Sequence, residues 1–327
     1  MSISTHQPDK RINVVYACDN IQALPLGVSI ASALENRAEG NPINIHVLSY
    51  RISRSNRKSI ASQFDGRDDT LFWHEITGEN RKLLEDLFTS SNRPYPPAAY
   101  ARLLISDVIP NIDRAIYLDT DIIVATDLSP LWNTSFDGAG LLAIQDLPTS
   151  NDHIKRLRAL LSPEDISRYG IEAGDSYFQS GVLVFDMKEF TKTRASELIE
   201  CLRNYPDLTF PDNDALNIVF HDSFKLVDPR WNQMASVFKL DAARDTPYSA
   251  EVFEALLQDP YIIHYSGRPK PWEDGCTHPY LDRWVEALTH SAWNSWKPSR
   301  LNRAIDRIPR IQRVLAKRFR RFVSQHV

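Results

Sequence analysis

Short apolar runs alternate with segments of helical periodicity in the first part of the chain. Residues 12–17 and 43–48 are mostly apolar, as expected for strands that are buried on both faces of a sheet. Between them, residues 26–34 carry apolar side chains at the spacing of a helix. Because strands that alternate with helices indicate βαβ units, this pattern predicts an α/β domain whose sheet is largely parallel, at least in its first half.

The rest of the chain continues this pattern. Apolar runs predict strands at residues 114–117, 122–125, 141–145, 177–185 and 261–265. Helical spacing predicts helices at 98–108, after a proline-rich loop that begins at Pro94, and at 215–220, after an acidic start. The polar region 149–175 is predicted to be partly helical and to form an insertion or a lid. Because ligands of such sheets bind at the carboxyl ends of the strands, the residues that follow the strands are the candidates for function.

Composition bounds the size and class of the protein. With 327 residues, of which 43% are hydrophobic, the chain can bury a sizeable core, and we expect one domain over residues 11–296 and a tail over residues 297–327. The formal net charge of −4 gives no general argument for nucleic acid as a partner. Residues 1–10 lack the apolar segment of a signal peptide and no run of about eighteen apolar residues occurs, so we expect a cytoplasmic location.

The tail differs from the rest of the chain. Between Lys297 and Arg321, ten of twenty-five residues are Lys or Arg. Apolar residues recur among them at roughly helical spacing, which predicts a basic amphipathic helix with a break at Pro309. Three interpretations are open: a solvated helix packed on the domain, a nucleic-acid-binding arm, and a helix lying on an anionic membrane surface. The acidic remainder of the chain argues against nucleic acid, and we favour the membrane.

Two acidic residues follow the predicted strand at 114–117. Asp119 and Asp121 are separated by one residue, so in an extended backbone their side chains point the same way. Carboxylate oxygens are hard ligands that suit Mg²⁺ or Mn²⁺ bridging a diphosphate. A polar turn after a strand also explains the pair, and the rest of the chain decides between these two interpretations.

Six short motifs follow one another along the chain. They are VVYACD at 14–19, YAR at 100–102, IYLDTD at 116–121, YFQSGV at 177–182, DND at 212–214 and HYSGRPKPW at 264–272. In this order they resemble family 8 of the retaining glycosyltransferases, especially the bacterial lipopolysaccharide galactosyl- and glucosyltransferases and, more remotely, glycogenin. The resemblance covers roughly residues 11–290. It implies a GT-A fold, which is a single Rossmann-like nucleotide-sugar-binding domain with a mixed central sheet, a UDP-glucose or UDP-galactose donor, and Mn²⁺ or Mg²⁺ as cofactor.

The resemblance also implies the ligands of the metal and of the diphosphate. Asp119, Asp121 and His264 match the residues that hold the divalent cation, and an imidazole beside two carboxylates shifts the preference toward Mn²⁺. Lys270 matches the position whose positively charged side chain contacts the donor diphosphate and stabilises charge on the leaving UDP. Gly267 is expected to let the backbone approach the phosphates closely.

Other positions match residues that contact the rest of the donor. By resemblance, Asp19 contacts the nucleobase, Arg102 reaches the donor, and Asp146 binds the hydroxyls of the donor sugar. Two positions depart from the family pattern. Gln22 stands where many relatives have a tyrosine that stacks on uracil, and Gln179 stands where relatives have an asparagine beside the donor sugar. Both departures leave the identity of the donor open.

The triplet Asp212-Asn213-Asp214 matches the residues that line the reacting centre. In the family the middle side chain is an amide near the anomeric carbon, opposite the leaving group, and an amide is a poor nucleophile. We therefore favour a front-face route, in which the acceptor hydroxyl attacks on the side that UDP leaves and a leaving phosphate oxygen takes its proton. A covalent intermediate with Asp214 or Asp212 as the nucleophile is the alternative.

Two other classes of protein share part of these signals. Haloacid-dehalogenase-like phosphatases also place Asp-x-Asp after a strand and use Mg²⁺, with Asp119 as the nucleophile here, but they give the histidine loop no role. The other class is a non-catalytic nucleotide-sugar-binding protein at a membrane. We expect instead a metal-dependent enzyme that moves a hexose to a saccharide or glycolipid acceptor. Its expected setting is cell-surface polysaccharide or lipopolysaccharide synthesis, peripheral on the inner face of the membrane.

Overall fold

The structure is a computed structural model that describes residues 11–93, 95–147, 150–240 and 242–296. Its strands are β1 (Ile12–Asp19), β2 (Ile43–Tyr50), β3 (Thr70–Glu75), β4 (Arg114–Leu118), β5 (Ile122–Val124), β6 (Leu141–Gln145), β7 (Phe178–Asp186), β8 (Phe224–Leu226), β9 (Gln233–Met234) and β10 (Ile262–His264). Its α-helices are α1 (Ala23–Asn36), α2 (Arg54–Ala61), α3 (Gly78–Ser90), α4 (Ile105–Val108), α5 (Ser129–Trp132), α6 (Ser150–Leu160), α7 (Pro163–Tyr169), α8 (Lys192–Asn204), α9 (Pro211–Val219), α10 (Ala250–Gln258) and α11 (Leu281–His290). The helix predicted in the basic tail, at 297–327, lies outside the described residues, as do positions 94 and 149 of two other predicted segments.

The larger sheet has the strand order β3-β2-β1-β4-β7-β6-β8. The strands β3, β2, β1 and β4 run parallel to one another, β7 is antiparallel to both β4 and β6, and β8 is parallel to β6. The sheet is therefore mixed, with a parallel first half as predicted. Every residue of β2 is buried.

Two hydrophobic clusters cover the two faces of this sheet. Along β1, Val14 belongs to one cluster and Val15 to the other, as the alternation of side chains in a strand requires. Leu26 of α1 packs on the Val14 side, and Leu103 packs on the Val15 side. Burial from both sides explains why the central strands read as nearly continuous apolar runs.

The helix predicted at 98–108 differs in the structure. Residues Pro97–Leu104 form a 3₁₀ helix, and only Ile105–Val108 are α-helical. Nε of Arg102 donates to the carbonyl oxygen of Ala99 at 3.2 Å, so this carbonyl is satisfied within the tighter turn. In this conformation the Arg102 side chain points inward, and the residue is only 5% exposed.

A smaller sheet adjoins the carboxyl end of β4. Its order is β5-β10-β9, with β5 antiparallel and β9 parallel to β10. Residues 119–121 connect β4 of the larger sheet to β5 of the smaller one. His264, the last residue of β10, pairs with Ile122, the first residue of β5. The acids and the histidine predicted to hold a cation therefore meet where the two sheets meet.

The helices near the strand ends agree with the sequence pattern. The polar region between β6 and β7 contains α6 and α7, so it is partly helical as predicted. Helix α9 has Asp212 and Asp214 in its first turn, where acidic side chains complement the helix dipole. Within the part of the chain that the structure describes, no helix is both long and apolar enough to cross a membrane.

Candidate metal and donor site

Backbone hydrogen bonds fix the turn that carries the two acids. The Asp119 N–H donates to the carbonyl oxygen of Gly181 in β7 at 2.9 Å. The Tyr265 N–H donates to the carbonyl oxygen of Asp121 at 3.0 Å. The first bond ties the turn to the larger sheet and the second ties it to the segment after β10. Both carboxylates therefore project from a backbone that is held on two sides.

The imidazole of His264 completes a cluster of three possible metal ligands. Its Nε2 lies 3.4 Å from Asp121 Oδ1 and 4.0 Å from Asp119 Oδ2, and the ligand atoms of all three residues lie within 4.8 Å of one another. Its Nδ1 lies 2.9 Å from Asn232 Oδ1. This hydrogen bond directs Nε2 toward the carboxylates, which is how partners behind a metal-ligating histidine usually orient it.

Gly181 leaves the space in which these side chains meet. A Cβ atom at this position would lie 2.5 Å from His264 Cε1, 2.8 Å from Gln179 Oε1 and 2.9 Å from Asp119 Oδ2. Any side chain here would therefore enter the cluster from β7. Two carboxylates and one imidazole around a position kept free by glycine fit a divalent cation such as Mn²⁺.

Lys270 adds a positive charge to the cluster. Its Nζ donates to Asp121 Oδ2 and, at 2.8 Å, to the carbonyl oxygen of Tyr265. Burial alone would raise the pKa of the Asp121 carboxyl, but His264 and Lys270 outweigh burial and hold that pKa below its usual range. Asp121 is therefore ionised at neutral pH, as a metal ligand must be.

Arg102 connects the cluster to α9. Its Nη2 donates to Asp119 Oδ1 at 2.7 Å, and its Nε lies 3.2 Å from Asp212 Oδ2. Its Nη1 donates to the carbonyl oxygen of Ser180 at 2.8 Å, and the guanidinium lies 4.4 Å from the centre of the Tyr117 ring. The side chain predicted to reach the donor thus holds two acids of the site in place.

The members of the triplet at the start of α9 have different surroundings. Asp212 is buried, and its Oδ1 has no hydrogen-bond partner among the described residues. The Asn213 amide is bonded on both sides: its Oδ1 accepts from the Ser180 N–H at 2.5 Å, and its Nδ2 donates to the Tyr177 hydroxyl at 2.6 Å. Asp212 is therefore the member of this triplet with a buried acceptor still to satisfy.

Asp214 pairs with Arg156 of α6. Its two oxygens accept from Arg156 Nη1 and Nη2 at 2.8 and 2.6 Å, and Oδ1 also accepts from the Tyr177 hydroxyl at 2.5 Å. The carboxylate has no exposed surface. Such a bidentate pair is strong and directional. These contacts favour a positioning role for Asp214 over the nucleophilic role that the sequence left open.

Asp19 and Gln22 lie at the end of β1, where α1 begins. Asp19 Oδ1 accepts from the Gln22 N–H at 3.0 Å. The hydroxyl of Thr120 donates to Gln22 Oε1 at 3.4 Å, so Gln22 contacts the turn between the two acids. Asp19, whose contact with the nucleobase stays a prediction, therefore lies near the turn that carries the two acids.

Gln179 lies behind His264. Its Oε1 accepts from Asn232 Nδ2 at 2.7 Å and from the Gly181 N–H at 2.6 Å. Because Asn232 in turn bonds the imidazole of His264, the side chain predicted beside the donor sugar also helps to orient the histidine.

Asp146 and Gly267 complete the set of predicted residues. Asp146 follows β6, and its N–H donates to the carbonyl oxygen of Tyr177 at 2.9 Å. Burial raises the pKa of its carboxyl to about 7, although His264 and the Leu147 N–H oppose this rise. Gly267 has a φ of +84°, which favours glycine, and it lies in the loop after His264. Contacts of both residues with the donor stay predictions.

Four residues around the site are not among those predicted from the sequence. Gly181 lies inside a recognised motif but received no role, whereas Asn232 lies in none of the motifs. His153 and Arg156 come from the polar region between β6 and β7. Their spacing of three residues, which places two side chains on one face of a helix, was the available signal.

The sequence of this chain is similar to sequences of known proteins. The sequence model of glycosyl transferase family 8 matches residues 13–276. General stress protein A of Bacillus subtilis is 26% identical over 88% of this chain and 96% of its own length. The lipopolysaccharide glucosyltransferase WaaO of Escherichia coli K12 is 26% identical over 87% of this chain and 79% of its own length. The family match leaves the phosphatase interpretation without support.

Solved structures share the fold. The galactosyltransferase LgtC, in complex with donor and acceptor sugar analogues, superposes with a TM-score of 0.68 at 24% sequence identity, over 89% of this chain and 99% of that one. This likeness confirms the α/β GT-A fold with a mixed central sheet. The chain belongs to glycosyl transferase family 8, and it is a retaining glycosyltransferase.

Proposed function

We propose that this enzyme transfers glucose or galactose from UDP-glucose or UDP-galactose to a saccharide or glycolipid acceptor, in the synthesis of lipopolysaccharide or another cell-surface polysaccharide. The observation that carries the proposal is the cluster of Asp119, Asp121 and His264 with Lys270 beside it. A diphosphate is the group that a divalent cation and a lysine bind together. The names of WaaO and LgtC, a glucosyltransferase and a galactosyltransferase, support a hexose as the transferred sugar.

Mn²⁺ is the proposed cofactor. Mg²⁺ prefers an octahedron of oxygen ligands, whereas an imidazole ligand suits transition metals. Asp119 and Asp121 would supply the oxygen ligands and His264 the nitrogen ligand. When bound, the cation neutralises charge on the diphosphate and so assists the departure of UDP.

Other side chains bind and orient the donor. Lys270 brings its ammonium to the carboxylate of Asp121, where it would meet the diphosphate. Asp19 and Gly267 are proposed to contact the nucleobase and the phosphates. Asp212 is proposed to line the reacting centre, and its unpartnered Oδ1 supports this role, because a buried acceptor without a donor is unfavourable.

The front-face route is proposed for the retaining step. In it, the acceptor hydroxyl oxygen bonds to the anomeric carbon while the bond from that carbon to the diphosphate oxygen breaks, and the hydroxyl proton passes to a phosphate oxygen of UDP. Asn213 is bonded to β7 and Asp214 to Arg156, so neither presents a free nucleophile. Asp212 stays as the alternative nucleophile.

Release of nucleoside diphosphate tests the proposal. The purified full chain is incubated with UDP-, GDP- and ADP-hexoses in the presence of Mn²⁺, Mg²⁺ or EDTA. We expect UDP to be released from UDP-glucose or UDP-galactose, most rapidly with Mn²⁺, and not in EDTA. Equal release in EDTA would remove the metal from the mechanism. Binding of UDP-hexose without release from any donor or acceptor would favour the non-catalytic alternative.

An anionic membrane surface is proposed as a partner from the sequence of the tail. Deletion of residues 298–327 removes nine Lys or Arg residues. Each basic residue near such a surface contributes about 1 kcal/mol, so binding to anionic vesicles is expected to fall by more than about tenfold while UDP release is unchanged. Cosedimentation with vesicles measures this effect, and zwitterionic vesicles serve as the control. Equal binding by the full and shortened chains would contradict the membrane role.

A further inference from the structure

Two positively charged side chains contact the candidate metal ligands. Arg102 Nη2 donates to Asp119 Oδ1 at 2.7 Å, and Lys270 Nζ donates to Asp121 Oδ2. Each acid of the pair therefore contacts one cationic side chain. The other oxygen of each acid, Asp119 Oδ2 and Asp121 Oδ1, lies 4.0 and 3.4 Å from His264 Nε2. The carboxylate charges of the pair are thus balanced by groups of the protein itself.

The guanidinium of Arg102 is fixed in place. Besides the bond from Nη2 to Asp119, its Nη1 donates to the carbonyl oxygen of Ser180 at 2.8 Å, and its Nε donates to that of Ala99 at 3.2 Å. The residue is only 5% exposed. A guanidinium whose nitrogens are all bonded cannot turn away without losing several hydrogen bonds at once. Arg102 is therefore a permanent partner of Asp119.

Lys270 contacts its acid with a flexible side chain. Its backbone is fixed by a turn, because its N–H donates to Glu273 Oε2 and its carbonyl oxygen accepts from the Glu273 N–H, both at 2.9 Å. An ammonium has three hydrogens to donate. Among the described residues, Nζ donates to two acceptors, which are Asp121 Oδ2 and, at 2.8 Å, the carbonyl oxygen of Tyr265. The side chain is 18% exposed, so the ammonium can turn toward a second anion while the backbone stays in place.

The charge of Lys270 opposes the binding of a divalent cation to the same acid. Like charges repel most strongly where water is excluded, and the Asp121 side chain is mostly buried. A cation that meets Asp121 while Lys270 still contacts it therefore binds less tightly than it would to the acid alone. A diphosphate changes this balance, because it offers Lys270 another anionic partner and brings negative charge of its own.

We propose that Lys270 is a displaceable counter-ion of Asp121. It lowers the affinity of the three ligands for a divalent cation until a nucleoside diphosphate draws its ammonium away, so that metal and donor bind cooperatively. The inference rests on the proposed function, because the diphosphate is that of a nucleotide sugar. Thermodynamic linkage then requires that metal and diphosphate each strengthen the binding of the other by the same factor.

Two substitutions of Lys270 test this role. Lys270→Met keeps an unbranched side chain but removes the charge and the donors, whereas Lys270→Gln removes the charge and keeps an N–H donor. For each variant, electron paramagnetic resonance of free Mn²⁺ measures the Kd of Mn²⁺ with and without saturating UDP. Calorimetry measures the Kd of UDP with Mn²⁺ present. Arg268→Gln is the matched control, because Arg268 lies in the same loop and is 80% exposed.

For both variants of Lys270 we expect Mn²⁺ alone to bind more tightly, with a Kd that falls by about tenfold or more, because a positive charge has left a mostly buried site. The Kd of UDP with Mn²⁺ present should rise by about tenfold or more, as for the loss of one charged hydrogen bond. The Kd of Mn²⁺ with UDP present should change less, so the factor by which UDP strengthens Mn²⁺ binding should shrink. Arg268→Gln should match the wild type in each Kd.

Three outcomes would overturn this role of Lys270 alone. An unchanged Kd of Mn²⁺ alone would show that the lysine does not oppose the cation. Weaker binding of Mn²⁺ alone would show that the lysine holds the Asp121 carboxylate in place for the metal. Tighter binding in Lys270→Met but not in Lys270→Gln would exclude charge as the cause, because both variants lack it. If the wild type binds no UDP in the presence of Mn²⁺, the proposed function fails and this inference fails with it. The binding of UDP by the wild type therefore tells the two failures apart.

Discussion

Replacement of His264 by alanine is expected to lower both the affinity for Mn²⁺ and the rate of UDP release by about 100-fold or more, since the loss of a partner behind a metal ligand already lowers them by about 10- to 100-fold. His264 is the nitrogen donor of the cluster and is only 2% exposed. Without it, Asp119 and Asp121 are left as the protein ligands. Electron paramagnetic resonance of free Mn²⁺ measures the affinity, and UDP release at saturating donor measures the rate.

His290→Ala is the matched control for this variant. His290 ends α11 and is exposed, so its loss should leave the Mn²⁺ affinity and the rate of UDP release unchanged. If His264→Ala binds Mn²⁺ with the affinity of the wild type, His264 is not a ligand. If it keeps Mn²⁺ but loses UDP release, the imidazole acts on the donor instead of the metal.

Replacement of Arg102 by alanine is expected to lower the free energy of unfolding by about 3–5 kcal/mol at neutral pH, the usual effect of removing one partner from a buried ionic group. Arg102 is 5% exposed and contacts the carboxylates of Asp119 and Asp212. Without the guanidinium, no positive charge among the described residues is in contact with the buried Asp212 carboxylate. Urea unfolding followed by circular dichroism measures the change.

The loss of stability in Arg102→Ala is expected to become smaller as the pH falls. Burial raises the pKa of Asp212 even in the wild type, although Arg102 opposes the rise, so removing Arg102 raises that pKa further. A carboxyl whose pKa is higher in the folded than in the unfolded chain takes up its proton first in the folded state. Lowering the pH from neutrality toward about 4, the pKa of a free aspartate, should therefore reduce the stability deficit of Arg102→Ala.

Arg283→Ala provides the control for the loss of an arginine. Arg283 is 54% exposed and pairs with Glu286 on the surface of α11. Its replacement should change the free energy of unfolding by less than about 0.5 kcal/mol, with little dependence on pH. A deficit of Arg102→Ala that stays constant from neutral to acidic pH would show that lost packing, and not lost charge, is the cause.

The fold was predictable where both faces of the sheet are covered. The apolar runs at 12–17 and 43–48 correspond to β1 and β2. These strands are buried on both faces, so most of their residues are apolar. β3 was not predicted, because it is an edge strand with no fully buried residue and its sequence therefore mixes polar and apolar side chains. The prediction of an α-helix at 98–108 was wrong over its first part, where the structure has a 3₁₀ helix. The spacing of apolar residues does not show the inward contacts that Arg102 makes.

The site was predictable only in part. Asp119, Asp121 and His264 could be brought together through the resemblance of their motifs to family 8, and the structure places their ligand atoms within 4.8 Å of one another. Asn232 and Arg156 could not, because they contact residues that are 32 and 58 positions away in the chain. Which side chain meets which at such a separation depends on strand order, and local pattern does not specify it.

The three candidate ligands come from both sides of the boundary between the two sheets. Asp119 is bonded to β7 of the larger sheet, Asp121 directly precedes β5 of the smaller sheet, and His264 is the last residue of β10. A cation held by these three residues would connect the two sheets. Because a ligand that binds only the folded state adds its binding free energy to stability, the enzyme loaded with metal and donor should resist heat and proteases better than the empty enzyme.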